Sequence, residues 1–474
     1  MSTSSETQLD SESARISPSD LPAGPLVAWY GDDFTGAAAV MEVLSFAGLP
    51  SMLFLEPPTS DRLDRFPGLR GIGVASTARA ESPDWMQAEL PEIFARLWRM
   101  KPAILHYKVC STLDSSPEIG SIGRALEIGA EATGGTIVPI LIAAPQMRRY
   151  QVFGQLFAAH GDKVYRLDQH PVMSRHPVTP MSEADVAAHV AKQSPRLAAR
   201  ALTMEHLAEA AADPSPLERD EEAELTAIAL DSWDRASETA AGRVIWENRN
   251  QSPFVVGSQG VEYALIRHWQ ASGALPPAQD PRGIGRASRM VSVSGSVSAT
   301  TAGQIAWSRA HGFACIPFDA SAACRGEAAL RQEEDRVRAA ALAALAEGRD
   351  PLIHTAEGPD DPAVARFRAA LRTAGADIGQ VNQAIGERLG RILRDILSET
   401  GVRRAVISGG DTSGHATRQL QVFALSVLAP TLPGASIFKV HADGPMDGLE
   451  LALKGGQMGS PDYFGWVRDG GGRR

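Results

Sequence analysis

Cysteine is scarce in this 474-residue chain: Cys110, Cys315 and Cys324 are far apart and odd in number. No CxxC pair or Cys/His cluster accompanies them, so neither a disulfide framework nor a structural zinc site is encoded, and a reducing cytoplasm is the expected location. No apolar run approaches the ~20 residues that cross a bilayer. The N-terminus has no basic segment followed by an apolar one, so no secretory signal is read there. Positive charge is also short. Lys and Arg number 46 against 56 Asp and Glu, a formal net charge of −10. That balance speaks against broad binding to nucleic acid or anionic membranes, though a locally basic site for a small anion is still compatible with it.

Several catalytic signatures are missing as well. There is no GxxxxGK(S/T), so the chain is not a P-loop kinase, and no strict GxGxxG, which weakens a dinucleotide reading. The aspartates at 32 and 33 are followed by Phe34 rather than completing DxDx(T/V), which argues against a haloacid-type phosphatase. No GxSxG marks a hydrolase elbow. His106, His176, His354 and His415 are scattered and read as packing or loop residues rather than metal ligands.

What the chain does contain is a rhythm of short apolar runs and helical stretches. Leu26–Tyr30 reads as a strand, Ala37–Ala47 as a helix that Thr35 could cap, and Ser51–Leu55 as the next strand. The alternation continues through strands at Gly71–Ala75, Ala103–Tyr107, Thr136–Ala143, Leu225–Leu230 and Phe254–Val256. Helices fall at Pro83–Met100, Ile119–Thr133 and Ala236–Trp246, and Val186–Ala212 reads as mostly helical. Residues 271–287, rich in Pro, Gly and Ala without periodicity, read as a linker. The rhythm then restarts, with strands at Met290–Val293, Ala314–Phe318, Leu352–Thr355, Ala405–Ile407 and Ile437–Val440, and helices at Gly326–Glu347 and Gln380–Thr400. The expectation is an α/β protein: a disordered, net acidic tail (1–24), a first domain (25–270), the linker (271–287) and a second domain (288–474), each domain with its own mainly parallel sheet.

Ligands bind α/β sheets at the carboxyl ends of the strands. The first such loop is Gly31-Asp32-Asp33-Phe34-Thr35-Gly36. Adjacent carboxylates need a cation or hydrogen-bond donors nearby, and a sugar hydroxyl is a donor whose proton a carboxylate can accept. The same pair could equally be turn and cap residues, and physical chemistry alone leaves both roles open. The second is Lys108-Val109-Cys110-Ser111-Thr112-Leu113-Asp114-Ser115, which offers a cation, hydroxyls and a carboxylate suited to a polyol carboxylate. Arg79, beyond the preceding strand, could add a bidentate contact. The third is Ser294-Gly295-Ser296-Val297-Ser298, and the fourth is Ser408-Gly409-Gly410-Asp411-Thr412-Ser413-Gly414. Both are small-residue turns whose backbone N–H groups can approach phosphate. Lys454-Gly455-Gly456-Gln457-Met458-Gly459 adds a further glycine loop. Any one of these could be a plain turn or polar loop; several together in one half favour a nucleotide site.

In this order and spacing, the loops resemble those of the four-carbon acid sugar kinases. The matching segments are the DDFTGA turn at Asp32–Ala37, the K-x-CST-x-DS segment at Lys108–Ser115, and a glycine-containing stretch at Gly120–Gly123. The SGSVS, SGGDTSG and terminal KGG-x-x-G loops follow. The likeness runs from Leu26 to Phe464 and is specific only as a set. It implies a sugar-acid-binding N-terminal domain, a nucleotide-binding C-terminal domain and an active site in the cleft between them. It also implies ATP with Mg²⁺, and substrates such as threonate, erythronate, 3-oxo-tetronates or branched 3-oxo-isoapionate. Gly31 stands where many members have Ala, and His176-Pro177-Val178-Thr179-Pro180 replaces a common DP-x-x-P; both bear on the substrate rather than the reaction.

On this basis Asp32, Asp33 and Asp114 are the expected catalytic carboxylates. Asp32, Arg79, Lys108, Cys110, Ser111, Thr112 and Asp114 should bind the sugar acid, with Arg79 and Lys108 on its carboxylate. Ser294, Ser296, Ser298, Gly409, Gly410, Asp411, Thr412 and Gly455 should hold ATP, and Asp411 the Mg²⁺. A homodimer is an open option. The competing readings are an NAD-dependent dehydrogenase of hydroxy acids, weakened by the missing fingerprint, and a two-domain solute-binding protein, weakened by the missing export signal and the doubled glycine loops.

Overall fold

Short buried runs closed by Gly or Asp turns become the strands, as their apolar continuity requires when both faces of a sheet are covered. The computed structural model describes residues 21–213, 217–278 and 280–474, so the expected tail lies outside the described residues up to residue 20. β1 (Val27–Gly31) leads into α1 (Phe34–Phe46), followed by β2 (Ser51–Phe54), α2 (Ser60–Asp64), β3 (Gly71–Ala75), α3 (Pro83–Arg99) and β4 (Ile104–Lys108). Next come α4 (Ile122–Thr133) and β5 (Ile137–Leu141), then a small antiparallel sheet of β6 (Arg149–Val152), β7 (Gln155–His160) and β8 (Lys163–Arg166). The first half ends with α5 (Val186–Ala191), β9 (Leu197–Leu202), α6 (Met204–Ala212), β10 (Leu225–Leu230), α7 (Arg235–Glu247), β11 (Phe254–Gly257) and α8 (Gly260–Ala271).

The second half begins with β12 (Val291–Ser294), α9 (Ala299–Ala310), β13 (Phe313–Pro317), α10 (Glu327–Ala346) and β14 (Asp350–His354). It continues with α11 (Pro362–Ala374), α12 (Ile378–Thr400), β15 (Arg404–Ser408), α13 (Gly410–Gln419), β16 (Val422–Ala429), β17 (Ile437–Ala442), β18 (Glu450–Lys454) and α14 (Tyr463–Arg468).

Where two separate sheets are expected, the described residues form one 15-stranded sheet in the order β13-β14-β12-β15-β18-β17-β16-β2-β3-β1-β4-β11-β5-β10-β9. The join is β2 against β16, antiparallel, with Leu425 opposite Leu53 and Ala424 opposite Phe54. Because β16, β17 and β18 also alternate in direction, the parallel strands of the second half run opposite to those of the first. Twist reconciles them. Six steps separate β15 from β1, and at roughly 20–25° each they rotate the strand direction by about 120–150°. A hollow between the halves is lined by Tyr30, Ala75 and Ser76 at strand ends of the first and by Gly414 and Arg418 of α13 in the second. One buried cluster runs through both halves, from Trp29, Val40 and Leu44 to Leu389, Ile392 and Ile407. On the other face of the first half, Phe94, Leu126 and Val256 form a second core.

Two local expectations are corrected. Residues 186–212 are not one helix, because β9 divides α5 from α6. The Ala-rich run Leu197–Leu202 has helical propensity, but pairing along β10 overrides it. Thr35 is not the cap of α1; Asp33 is, its side chain accepting from the Gly36 N–H at 2.9 Å.

The halves are also tied through Glu42 of α1. Its buried carboxylate accepts from the backbone N–H groups of Gly434 (2.8 Å) and Ser436 (3.0 Å). Burial raises its pKa from 4.5 to about 7, against the pull of those donors. The folded state thus holds the Glu42 proton more tightly than the unfolded chain, and stability falls as pH rises from 4.5 through about 7. Relative to Glu42→Gln, which cannot titrate, the wild type should lose on the order of 3 kcal/mol over that window. Denaturant unfolding of both proteins from pH 4.5 to 8 measures it, and a pH-independent difference would remove Glu42 from the account.

Candidate active site

Gly31, Lys108, Gly257 and Leu141 end neighbouring strands and form a row along the carboxyl edge of the first half. Asp32 follows at once. Its N–H donates to the Lys108 carbonyl at 2.9 Å, and its own carbonyl accepts from the Arg79 N–H at 3.0 Å. The Asp32 carboxylate is buried and held by Arg79 in a two-point fork, Nε to Oδ2 at 3.0 Å and Nη2 to Oδ1 at 2.7 Å. Nη2 also reaches Asp33 Oδ1 at 2.9 Å. Burial raises the Asp32 pKa and Arg79 opposes that rise, so the carboxylate is more basic than a free one.

Lys108 is buried beneath the first turn of α1, where its Nζ donates to the Val109 carbonyl at 2.7 Å. Glycine at residue 36 leaves room for this: a Cβ there would crowd Lys108 Nζ and Asp33 Oδ1, and those side chains would have to shift. Beyond Lys108, Cys110 Sγ lies 3.0 Å from Thr112 Oγ1, which donates to Asp114 Oδ1 at 2.7 Å. Burial, with Asp114 adding to it, pushes the Cys110 thiol up to about 11, so it stays protonated and donates along that chain. Ser111 and Thr112 are buried beside it, and Leu113 takes a left-handed φ of 55° that turns the loop back on itself.

In the second half, His354, Ser294, Ser408 and Lys454 occupy one row across β14, β12, β15 and β18. The loops above this row are knitted together. Ser298 Oγ and Thr301 Oγ1 both donate to the Gly456 carbonyl, at 2.5 and 2.9 Å. Ser296 packs so closely on Gly456 that a Cβ there would meet its Oγ at 2.3 Å. Gly409 has φ 125°, which glycine permits, and opens α13. The side chains of residues 410–413 lie outside the described residues, and with them the metal role expected of Asp411. A slot of about 400 Å³ opens beside Gly295, Ser296 and Gly409, with an apolar wall from Val364, Phe367 and Ile385. A second hollow, about 550 Å³, lies between the halves. Tyr30, Phe34, Ser76 and Trp85 line it from one side, and Arg418 and Phe423 from the other.

Residues 27–265 match the family pattern of a sugar-binding N-terminal domain, and residues 291–464 that of a nucleotide-binding C-terminal domain. The chain belongs to the four-carbon acid sugar kinase family. Among relatives, it is 44% identical over 451 residues to the 3-oxo-isoapionate kinase of Paraburkholderia graminis, covering 95% of each chain. It is 27% identical to a 3-oxo-tetronate kinase of Cupriavidus necator, covering 93% of this chain and 96% of that one. Two solved structures share the fold. One, from Salmonella typhimurium LT2, has a TM-score of 0.74 at 23% identity, over 93% of this chain and 98% of its own. The other, from Haemophilus influenzae, has a TM-score of 0.68 at 21%, over 93% and 99%.

The structure of this family member brings Asp32, Asp33, Arg79 and Lys108 into one cluster and joins Cys110, Thr112 and Asp114 into another. The two cations expected to take a substrate carboxylate are both engaged by the protein itself. Two further cations stand out only in the structure. Lys454, in sequence merely the start of a glycine loop, is buried with its Nζ on the Gly455 carbonyl at 3.2 Å, and burial lowers its pKa to about 8. Arg149 carries no local motif; its proximity to Cys110 and Asp114 comes from tertiary folding alone. Among the described residues, no helix is long and apolar enough to cross a membrane.

Proposed function

We propose that this enzyme, an ATP-dependent sugar-acid kinase by family, phosphorylates a branched five-carbon 3-oxo acid of the 3-oxo-isoapionate type, with four-carbon 3-oxo-tetronates as the weaker class. The observation that carries the reading is the 44% identity with the Paraburkholderia kinase across 95% of both chains, against 27% for the 3-oxo-tetronate kinase. The first domain (25–270) binds the acid, the second (288–474) binds ATP, and residues 271–287 connect them. Three free cysteines support a cytoplasmic setting.

Phosphoryl transfer asks the protein for positioning and charge stabilisation. Asp32, aimed by Arg79, accepts the proton of the substrate hydroxyl. That oxygen forms its bond to the γ-phosphorus as the bond to the β–γ bridging oxygen breaks, releasing ADP. Asp33 is occupied as a helix cap, and Asp114 with Thr112 supplies a polar wall for the polyol. The backbone of Ser294–Ser298, Gly409–Thr412 and Gly455, with Lys454, cradles the phosphates, and the apolar slot takes the base. Mg²⁺ suits this edge: the hydroxyls of Ser294 and Ser408 are buried without a hydrogen-bond partner among the described residues, and Asp411 follows β15 closely. Asp411 is the residue assigned to hold the ion, whose chemistry is neutralising phosphate charge.

An ADP-release assay across C4 and branched C5 acids and their 3-oxo forms tests the reading. The branched 3-oxo acid should exceed 3-oxo-tetronate in kcat/KM by about 10–200-fold, the range one extra carbon group in a fitted pocket supports. No ADP release with any of these acids would overturn it.

A further inference from the structure

We infer that Arg149 is the residue that recognises the substrate's carboxylate and so restricts the enzyme to acids. The inference rests on the sugar-acid reading above. It starts from a charge imbalance. Around the acceptor side stand three carboxylates, Asp32, Asp33 and Asp114, and two cations, Arg79 and Lys108. That set carries one excess negative charge, the wrong sign for an anionic substrate. Both cations already face the protein's own groups: Arg79 spends its Nε–Nη2 fork on Asp32 and Asp33, and Lys108 places one donor on the Val109 carbonyl.

Arg149 stands where a further cation is needed. β5 ends at Leu141, in the same row of strand ends as Lys108 and Gly257. The chain then folds back, and Ala144 and Arg149 exchange backbone hydrogen bonds of 3.0 and 3.2 Å, fixing the start of β6 against that edge. Burial lowers the Arg149 pKa, and Cys110 and Asp114 are near enough to raise it again, while Arg148 adds to the lowering. Its guanidinium therefore stands within electrostatic range of Cys110 and Asp114.

The guanidinium is also half free. Nη1 donates to the carbonyls of Met147 (3.1 Å), Arg148 (3.3 Å) and Ala159 (3.5 Å), which hold the group in place. Among the described residues, Nε is buried with no partner and Nη2 makes no hydrogen bond. The Nε–Nη2 edge is the edge with which Arg79 grips Asp32. On Arg149 the same two-donor fork is left unfilled. A buried N–H without an acceptor costs free energy until a ligand supplies one, and a planar fork matches a carboxylate in two hydrogen bonds. Arg149 is thus anchored by one nitrogen and prepared for a carboxylate with the other two.

The test compares wild type, R149Q and R149K on 3-oxo-isoapionate and on its primary amide, which lacks the charge. The wild type should prefer the acid strongly. R149Q should raise KM for the acid by about 30–300-fold while kcat and the KM for ATP stay within about threefold, and its acid-to-amide preference should collapse. R149K, which keeps the charge but not the fork, should recover part of the preference. If R149Q fails to fold, for want of the Nη1 contacts, R149K and the wild-type acid-to-amide ratio give the same reading. An unchanged KM, equal losses on acid and amide, or a wild type indifferent to the charge would overturn the inference. A wild type that releases no ADP with any acid would overturn the sugar-acid reading itself, and is distinguishable from these outcomes.

Discussion

Replacing Asp32 by Asn should lower kcat by about 10²–10⁴-fold, the range contributed by a well-placed base, and leave the KM for ATP within about threefold. The substitution preserves shape, so loss of proton acceptance is what the measurement reads. One side of the Asn amide can still accept from Arg79, while the other presents N–H to N–H. The neighbouring carboxylate provides the control. Asp33 Oδ1 caps α1 and also meets Arg79, so that oxygen is committed to structure. Asn is as good a cap as Asp, and Asp33→Asn should cost less than about tenfold in kcat. Steady-state kinetics on both variants decides between them. Full turnover in Asp32→Asn, or a larger loss in Asp33→Asn, would move the base to another residue.

Lys454→Met should reduce kcat/KM for ATP by about 10²–10³-fold, the usual effect of removing one preorganised donor from a transferring group. The lysine ends β18 beside Ser408 and Gly409, in the row below the glycine loops proposed to hold phosphate. Its buried ammonium has one hydrogen-bond partner among the described residues, the Gly455 carbonyl. A buried charge so poorly compensated is costly, which is why its pKa falls to about 8, and polyphosphate is the partner that would repay it. Methionine keeps the stem packed near Tyr463 and removes only the charge. Sugar-acid binding, followed by thermal shift, should survive. Undiminished kcat/KM for ATP would exclude Lys454 from the phosphate site.

The parts of this molecule that were legible in the sequence are those encoded locally. β1, β3, β4 and β15 are apolar runs closed by turn residues, and each appears where its composition puts it. The DDFTGA turn announced two carboxylates at a strand end, and the structure divides their roles through contacts with Arg79 and Gly36 that lie beyond any single window. The Ala-rich stretch around β9 misled because its propensity is helical while its place beside β10 demands a strand. β6 to β8 were invisible because their short, mixed segments lack a sustained alternation. Nothing in the run Ser51–Phe54 specifies Val422–Ala429 as its neighbour, so the joining of the two halves could not be read. Glu42 left one faint signal, a lone acid in the otherwise apolar AAAVMEVLSF segment. Arg149 left none.

That joining has a consequence for how the active site is stored. Strands of opposite sense meet at β2 and β16, so on a flat ribbon the acid-binding loops and the phosphate loops would sit on opposite margins. Right-handed strand twist, summed over the six steps from β15 to β1, turns those margins toward one another. The handedness of the L-amino-acid backbone, which fixes the direction of that coil, thus bears on how the two sets of loops are oriented.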